Sequence, residues 1–243
     1  MATIDITIVY DNINGYEKGF KKDFGFSALL EQNSFKILFD TGTDPDILSS
    51  NLEQCNVAPA NLNAIILSHN HYDHTNGITS ITSHHPDIPV IVHKYWNRKV
   101  VHRGTDISTL NLVEAAEPGK QNYLPDNFLI TAPLPSPDYG MIDEQALFIK
   151  TAENYILLCG CCHPGLINFL DQREILGINL ESNLNIIGGF HGFSFPDKMA
   201  AELYPIIDSI VCCHCTKNRY DFKQQFSDKC SLATLGKKYS FAI

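Results

Sequence analysis

A chain of 243 residues, 44% hydrophobic and 19% charged, is long enough to bury one full core without disulfide staples. Its 18 basic and 27 acidic side chains leave a net charge of −9, which speaks against general nucleic-acid binding, since that usually leaves a basic footprint. No apolar run nears the roughly 20 residues that span a bilayer. The first residues, Met-Ala-Thr-Ile-Asp-Ile-Thr, lack the basic and apolar regions of a signal peptide, so a cytoplasmic protein with no membrane partner is expected.

Residues 3–10 alternate polar and apolar and predict a strand. Residues 28–31 and 35–39 predict a hairpin around Gln32-Asn33-Ser34. Asp44-Pro45 offers an N-cap and a first-turn proline for a helix reaching about Asn56. Ala64-Ile65-Ile66-Leu67 reads as a short buried strand. A helix over 75–84 and a strand over 89–93 follow. Residues 104–140 hold Pro118, Gly119, Pro125, Pro133, Pro135, Pro137 and Gly140. They predict an irregular stretch, either a pocket wall or lid or a plain surface excursion. Strands at 145–150 and 155–159, a helix at 166–176, a strand at 184–188, a helix at 197–208, a strand at 209–213, a helix at 218–226 and a last strand near 230–235 complete the pattern. Such alternation indicates an α/β layered core. With no visible linker, residues 1–243 read as one domain.

The strand at 64–67 runs into Ser68 and then His69-Asn70-His71-Tyr72-Asp73-His74. Three imidazoles and a carboxylate in six residues, on a loop leaving a rigid strand, are the residue types that ligate zinc. If that loop stays extended, His69, His71 and Asp73 point one way and His74 another, an arrangement suited to two metal ions better than one. The second half repeats the grammar: apolar strands end in His-bearing loops at His163, His191 and His214.

Six of the eight cysteines fall in Cys-Gly-Cys-Cys-His and Cys-Cys-His-Cys. They read as reduced thiols packed as small hydrophobes at strand ends. Cys159/Cys162 and Cys212/Cys215 also have the spacing of a structural zinc site, which stays open as an alternative.

The segment Ser-His-Asn-His-Tyr-Asp-His-Thr resembles the zinc signature of the metallo-β-lactamase superfamily, and Leu38-Phe39-Asp40-Thr41-Gly42 resembles the Asp-bearing strand end that precedes it. Asp11-Asn12, Asp143-Glu144-Gln145-Ala146-Leu147, Leu158 to Gly165, Gly188-Gly189-Phe190-His191 and His214-Cys215-Thr216 resemble one branch, the 7,8-dihydropterin-6-methyl-4-(β-D-ribofuranosyl)aminobenzene-5'-phosphate synthase-like metal-dependent hydrolases. The resemblance implies an α/β (α+β) fold, a four-layer αββα sandwich with metals at one sheet edge. It implies that His69 and His71 bind one ion with a third histidine, here His163. Asp73 and His74 would bind a second ion with a C-terminal histidine, here His214. A carboxylate often bridges the two ions in that superfamily. Here Gly160-Cys161 stands where Gly-Asp is expected, so Cys161 is either a thiolate ligand or a bystander. Asp40 is expected to orient a ligand histidine. Asp73 and His191 are the candidate catalytic residues, His191 as a substrate contact or acid/base, against a plain core-facing role. His84, His85, His93 and His102 are expected on the surface or in packing.

The expected ion is Zn2+, one or two, with Mn2+, Fe2+ or Mg2+ as alternatives. Residues 93–103 form a basic island, and Lys94, Arg98 and Arg103 are candidates to hold an anionic or phosphorylated small molecule, against a solvated helix face. The expected function is a metal-dependent hydrolase using metal-bound hydroxide on an ester, amide or phosphoester. Alternatives are the dihydropterin-phosphoribose condensation of the resembled branch, a phosphodiesterase or nuclease, and a non-catalytic structural zinc protein. A homodimer is compatible with the chain.

Overall fold

The computed structural model describes residues 2–243. Strands β1 (Thr3–Tyr10), β2 (Ser27–Gln32) and β3 (Phe35–Phe39) form an antiparallel meander. After it come helix α1 (Pro45–Gln54), β4 (Ala64–Ile66), the short helices α2 (Tyr72–Thr75) and α3 (Thr79–Thr82), β5 (Val90–His93) and β6 (Leu112–Ala115). The second half holds β7 (Phe128–Ile130), β8 (Leu134–Ser136), β9 (Ile142–Glu144), β10 (Leu147–Lys150), β11 (Tyr155–Cys159), α4 (Leu166–Ile175), β12 (Leu184–Gly189), α5 (Asp197–Leu203), β13 (Ile207–Cys213), α6 (Arg219–Phe226), β14 (Cys230–Leu232) and β15 (Lys238–Ala242). One sheet runs β15-β1-β2-β3-β4-β5-β6, and the other β14-β13-β12-β11-β10-β7.

The period-2 alternation of strands assigns the layers. Ile4, Ile6, Ala28, Leu30, Ile37, Phe39, Ala64 and Ile66 meet Leu147, Ile149, Ile156 and Leu158 between the two sheets. The intervening Leu29, Leu38, Ile65, Val90 and Val92 pack outward against Leu48 and Leu52 of α1. On the other sheet Phe148, Leu157, Ile186 and Ile210 pack outward against Leu166 and Phe169 of α4 and Phe222 and Phe226 of α6. Strands buried on both faces read as continuous apolar runs. The result is the four-layer αββα sandwich.

Parallel pairing of β3, β4, β5 and β6, and of β11, β12, β13 and β14, brings the carboxyl ends of these strands to common sheet edges. In open α/β sheets such ends are where functional loops gather.

The expected helix over 75–84 is broken into α2, a 3-10 turn at Asn76–Ile78 and α3. A Cβ on Gly77 would lie 1.9 Å from the Thr41 carbonyl oxygen, so the chain is pressed against the loop after β3 and cannot coil freely there. The expected helix over 197–208 stops at Leu203, two residues before Pro205, whose ring cannot continue it. Residues 104–140 contain three short strands, β6, β7 and β8, in place of one irregular stretch. Strand β15 was not expected from sequence; it pairs antiparallel with β1, Thr3 opposite Ala242 through Thr7 opposite Lys238. Among the described residues no helix is long and apolar enough to cross a membrane.

Candidate metal centre

The segment after β4 is extended only as far as His71 (φ −101°, ψ 151°); from Tyr72 it turns helical. That turn corrects the expectation that His74 points away from its neighbours. The His74 ring centroid lies 4.2 Å from that of His69. Two sets of donors result, each with its ligand atoms within 4.8 Å of one another: His69, His71 and His163, and Asp73, His74 and His214. Cys161 lies with both His69 and His74, so its thiol occupies the space between the sets. Its Sγ is 3.1 Å from His74 Nε2.

Three of the inward-facing histidines, His69, His74 and His214, are held from behind. Asp40, at φ +57°, accepts from the Ser68 amide and hydroxyl and sits 2.7 Å from His74 Nδ1. The Ser68 hydroxyl in turn lies 2.9 Å from His69 Nδ1. Asn12 Oδ1 lies 2.6 Å from His214 Nδ1, and Asp11 accepts the His214 amide at 2.7 Å. Such outer contacts fix which ring nitrogen faces inward. Glu144 organises the loop after β11. Its fully buried carboxyl accepts the amides of Cys161, Cys162 and His163 at 2.7, 2.9 and 2.7 Å. Three consecutive N–H groups converging on one carboxyl force Cys162 to φ +54° and aim both Cys161 and His163 at the centre.

The electrostatics suit a cation. Burial, then neighbouring imidazoles, hold His69 well below the ordinary histidine range, His71 at about 4 and His163 at about 2. These rings are neutral and their lone pairs are available. Burial alone would raise Asp73, but His74 and His214 override it and keep it ionised. Burial would likewise lower His74, yet Asp40 and Asp73 lift it to about 9. Burial pushes Cys161 up, while Cys161 and His191 hold Cys215 down against its burial. The buried atoms His71 Nε2, Asp73 Oδ1 and His163 Nε2 have no hydrogen-bond partner. Orphaned donor atoms aimed into one space, of the nitrogen, oxygen and sulfur types zinc accepts, fit a divalent ion.

The centre opens into a cavity of about 180 Å³ whose lining includes Phe24, Tyr72, His102, Tyr139, His191 and Cys215. His102, expected on the surface or in packing, belongs to this wall. His191 stands at its edge, 4.7 Å from His163 by ring centroids, with Nδ1 unpartnered. Lys94, Arg98 and Arg103 are not among the residues lining it. Arg98 pairs with Asp143 at 3.0 Å and stacks on Tyr95, as Lys94 does more loosely, and Arg103 borders a separate shallow groove with Asn76 and Thr105. The segment that carries Lys94 and Arg98 is a turn, not a helix face. Cys159, Cys162 and Cys212 sit in the outer core, and among the described residues no donor cluster includes them, so the four-cysteine zinc alternative has no geometric basis.

Glu144 and Asn12 stand in the sequence only within segments that carry the family resemblance, and Cys215 only there and in the cysteine spacing of a structural zinc site, so none of the three has an expected place beside the histidines. Phe24, Tyr72 and Tyr139 carried no signal, because a rim is assembled from loops far apart in sequence.

The family model of the metallo-beta-lactamase superfamily matches residues 21–142, the stretch that holds Asp40 and the whole His69–His74 segment. The chain belongs to this superfamily. It is 26% identical to the 7,8-dihydropterin-6-methyl-4-(beta-D-ribofuranosyl)-aminobenzene-5'-phosphate synthase of Methanocaldococcus jannaschii, over 98% of this chain and 97% of that one. An uncharacterized protein of the same organism is 29% identical over 87% of this chain and 90% of its own. Among solved structures, Tm1679, described as a metal-dependent hydrolase of the beta-lactamase superfamily, aligns with a TM-score of 0.76 at 22% identity, covering 99% of this chain and all of that one. The short form of human tRNase Z aligns with a TM-score of 0.58 at 13% identity, over 98% of this chain and 100% of that one. Those two likenesses carry the fold alone.

Proposed function

We propose that the protein is a metal-dependent hydrolase of an ester, amide or phosphoester, with two adjacent cation positions. His69, His71 and His163 hold one, Asp73, His74 and His214 hold the other, and Cys161 lies between them. The observation that carries this reading is the convergence of two buried donor sets with orphaned His71 Nε2, Asp73 Oδ1 and His163 Nε2. A divalent ion, with Zn2+ favoured by the nitrogen and sulfur donors, supplies Lewis-acid polarisation and makes water acidic enough to ionise near neutral pH.

The chain's own groups do the rest. Asp73 Oδ2 and His214 Nε2 lie 3.0 Å apart, close enough to share the second position, and Asp73 Oδ1 stays free in the cavity. His191 stands where it holds a proton at Nδ1 for a leaving group. Phe24, Tyr72 and Tyr139 wall the opening with aromatic surface and limit water. At about 180 Å³ the cavity takes only the reacting part of a substrate, below the roughly 300–1,000 Å³ of drug-sized sites. The expected anionic substrate rests on the metal positions, since no Lys or Arg lines the cavity.

The 26% identical synthase favours a second reading, a condensation involving a pterin and a phosphoribosyl compound. The deciding experiment measures metal content and turnover of chromogenic ester, lactone and phosphodiester panels by metal-loaded protein. Metal-dependent turnover, abolished by chelator, is expected. Full metal loading with no turnover, but consumption of a dihydropterin with a phosphoribosyl co-substrate, would replace hydrolysis with the second reading. Protein that binds no metal refutes both.

A further inference from the structure

The donor cluster extends one residue beyond the histidines and the carboxylate. Cys215 Sγ lies 3.2 Å from Cys161 Sγ, and Cys161, His214 and Cys215 have ligand atoms within 4.8 Å of one another. Adjacent residues in a strand face opposite ways. His214 and Cys215 lie in the turn just past β13, where that alternation no longer holds; His214 takes φ +43°, a left-handed conformation uncommon outside glycine, and both residues line the one cavity. Space for the second sulfur is also built in. A Cβ on Gly189 would lie 2.8 Å from Cys215 Sγ and 2.5 Å from the Gly160 carbonyl oxygen. The His191 amide donates to Cys215 Sγ at 3.2 Å, and an N–H directed at sulfur stabilises its anionic form.

We propose that Cys215 is a second sulfur ligand of the Asp73-His74-His214 metal position. Together with Cys161 it makes that half of the centre sulfur-rich. The proposal rests on the metal reading above and assigns a residue that reading leaves out. Deprotonated thiolates are soft ligands that select zinc over magnesium or manganese, so the two positions differ in the ions they retain.

Cobalt titration of the metal-free, reduced protein tests it. Thiolate–cobalt bonds add a near-ultraviolet charge-transfer absorption that nitrogen and oxygen ligands do not produce. The expected result is a band that loses roughly a third to a half of its intensity in Cys215→Ser, falls also in Cys161→Ser, and vanishes in the double variant. Cobalt affinity of the second position should fall at least about tenfold in Cys215→Ser, as for other lost contacts to a metal site. A Cys215→Ser band equal to the wild type overturns the proposal while leaving the histidine–carboxylate centre intact. Cobalt bound without any charge-transfer band also overturns it, and excludes Cys161 as well. Failure of the wild type to take up cobalt overturns the metal reading itself. X-ray absorption of the zinc-loaded protein adds a count: Zn–S contacts at about 2.3 Å should fall by one per ion pair from wild type to Cys215→Ser, and an unchanged count overturns Cys215 as a ligand.

Discussion

The two proposed metal positions are built from opposite materials. His69, His71 and His163 offer three neutral imidazoles, and burial with mutual repulsion keeps them unprotonated. Asp73, His74 and His214 carry a carboxylate, and Asp40 behind His74 draws a proton onto that ring. The first position is therefore poor in charge and the second rich. An ion at the second has its charge partly compensated by Asp73; one at the first leans on ring lone pairs and on whatever share of Cys161 it takes.

The largest expected effect comes from erasing the charged half. Asp73→Asn should lower kcat/KM by about a thousandfold, near 4 kcal/mol, and remove one of two bound ions. Unchanged stoichiometry by elemental analysis would show that the halves do not divide as described. Next comes pH, in chelator-treated protein. His71 has a folded value of about 4 against an ordinary 6.5, so its unfolded form binds the extra proton. The associated stability is complete above about pH 6.5 and is lost as pH falls toward 4, at a cost of about 3 kcal/mol. His74, raised to about 9, runs the other way: its contribution is full below about pH 6.5 and is lost as pH rises through 9. Urea unfolding of the wild type, His71→Asn and His74→Asn across pH separates the two. Parallel profiles for the two variants would erase the contrast.

A smaller effect is expected from Glu144→Gln. The amide oxygen can still accept from Cys161 and Cys162, but its NH2 then faces the His163 amide. A loss of about 2 kcal/mol of stability is expected, with metal affinity falling more at the His163 position than at the other. Equal losses at both positions would show that Glu144 holds the loop only as a block. The smallest effect belongs to the basic island. Neutralising Arg98 and Arg103 should leave KM within about twofold, because neither lines the cavity. A tenfold rise in KM would restore the anion-binding role expected from sequence.

What could be read from sequence followed the periodic parts. Apolar runs such as Ala64–Leu67 and Tyr155–Leu158 located the strands, and histidines just past them located the donors. Readings failed where backbone conformation, not residue type, decides direction. The helical turn at Tyr72 swung His74 inward, and the turn at the left-handed His214 places Cys215 on the cavity wall. Glu144 escaped because its role lies in three amides of a loop about 17 residues on, and backbone amides leave no mark in a sequence. The rim of Phe24, Tyr72 and Tyr139 exists only once the loops meet. Strand β15 was missed although Tyr239 and Phe241 alternate inward, because five residues give little period to detect.

The pairing of β15 with β1 and the bond from the His214 amide to Asp11 join parts of the chain separated by more than 200 residues. Contacts of such high contact order form late, after much chain entropy has been surrendered. On a ribosome, residues 3–10 wait as an unpaired strand edge while most of the chain emerges. The histidine-only half needs sequence through His163, but the charged half needs His214. In the proposed centre, ion capture at the second position therefore waits until His214 has been made, and the first position would be the one open to earlier loading.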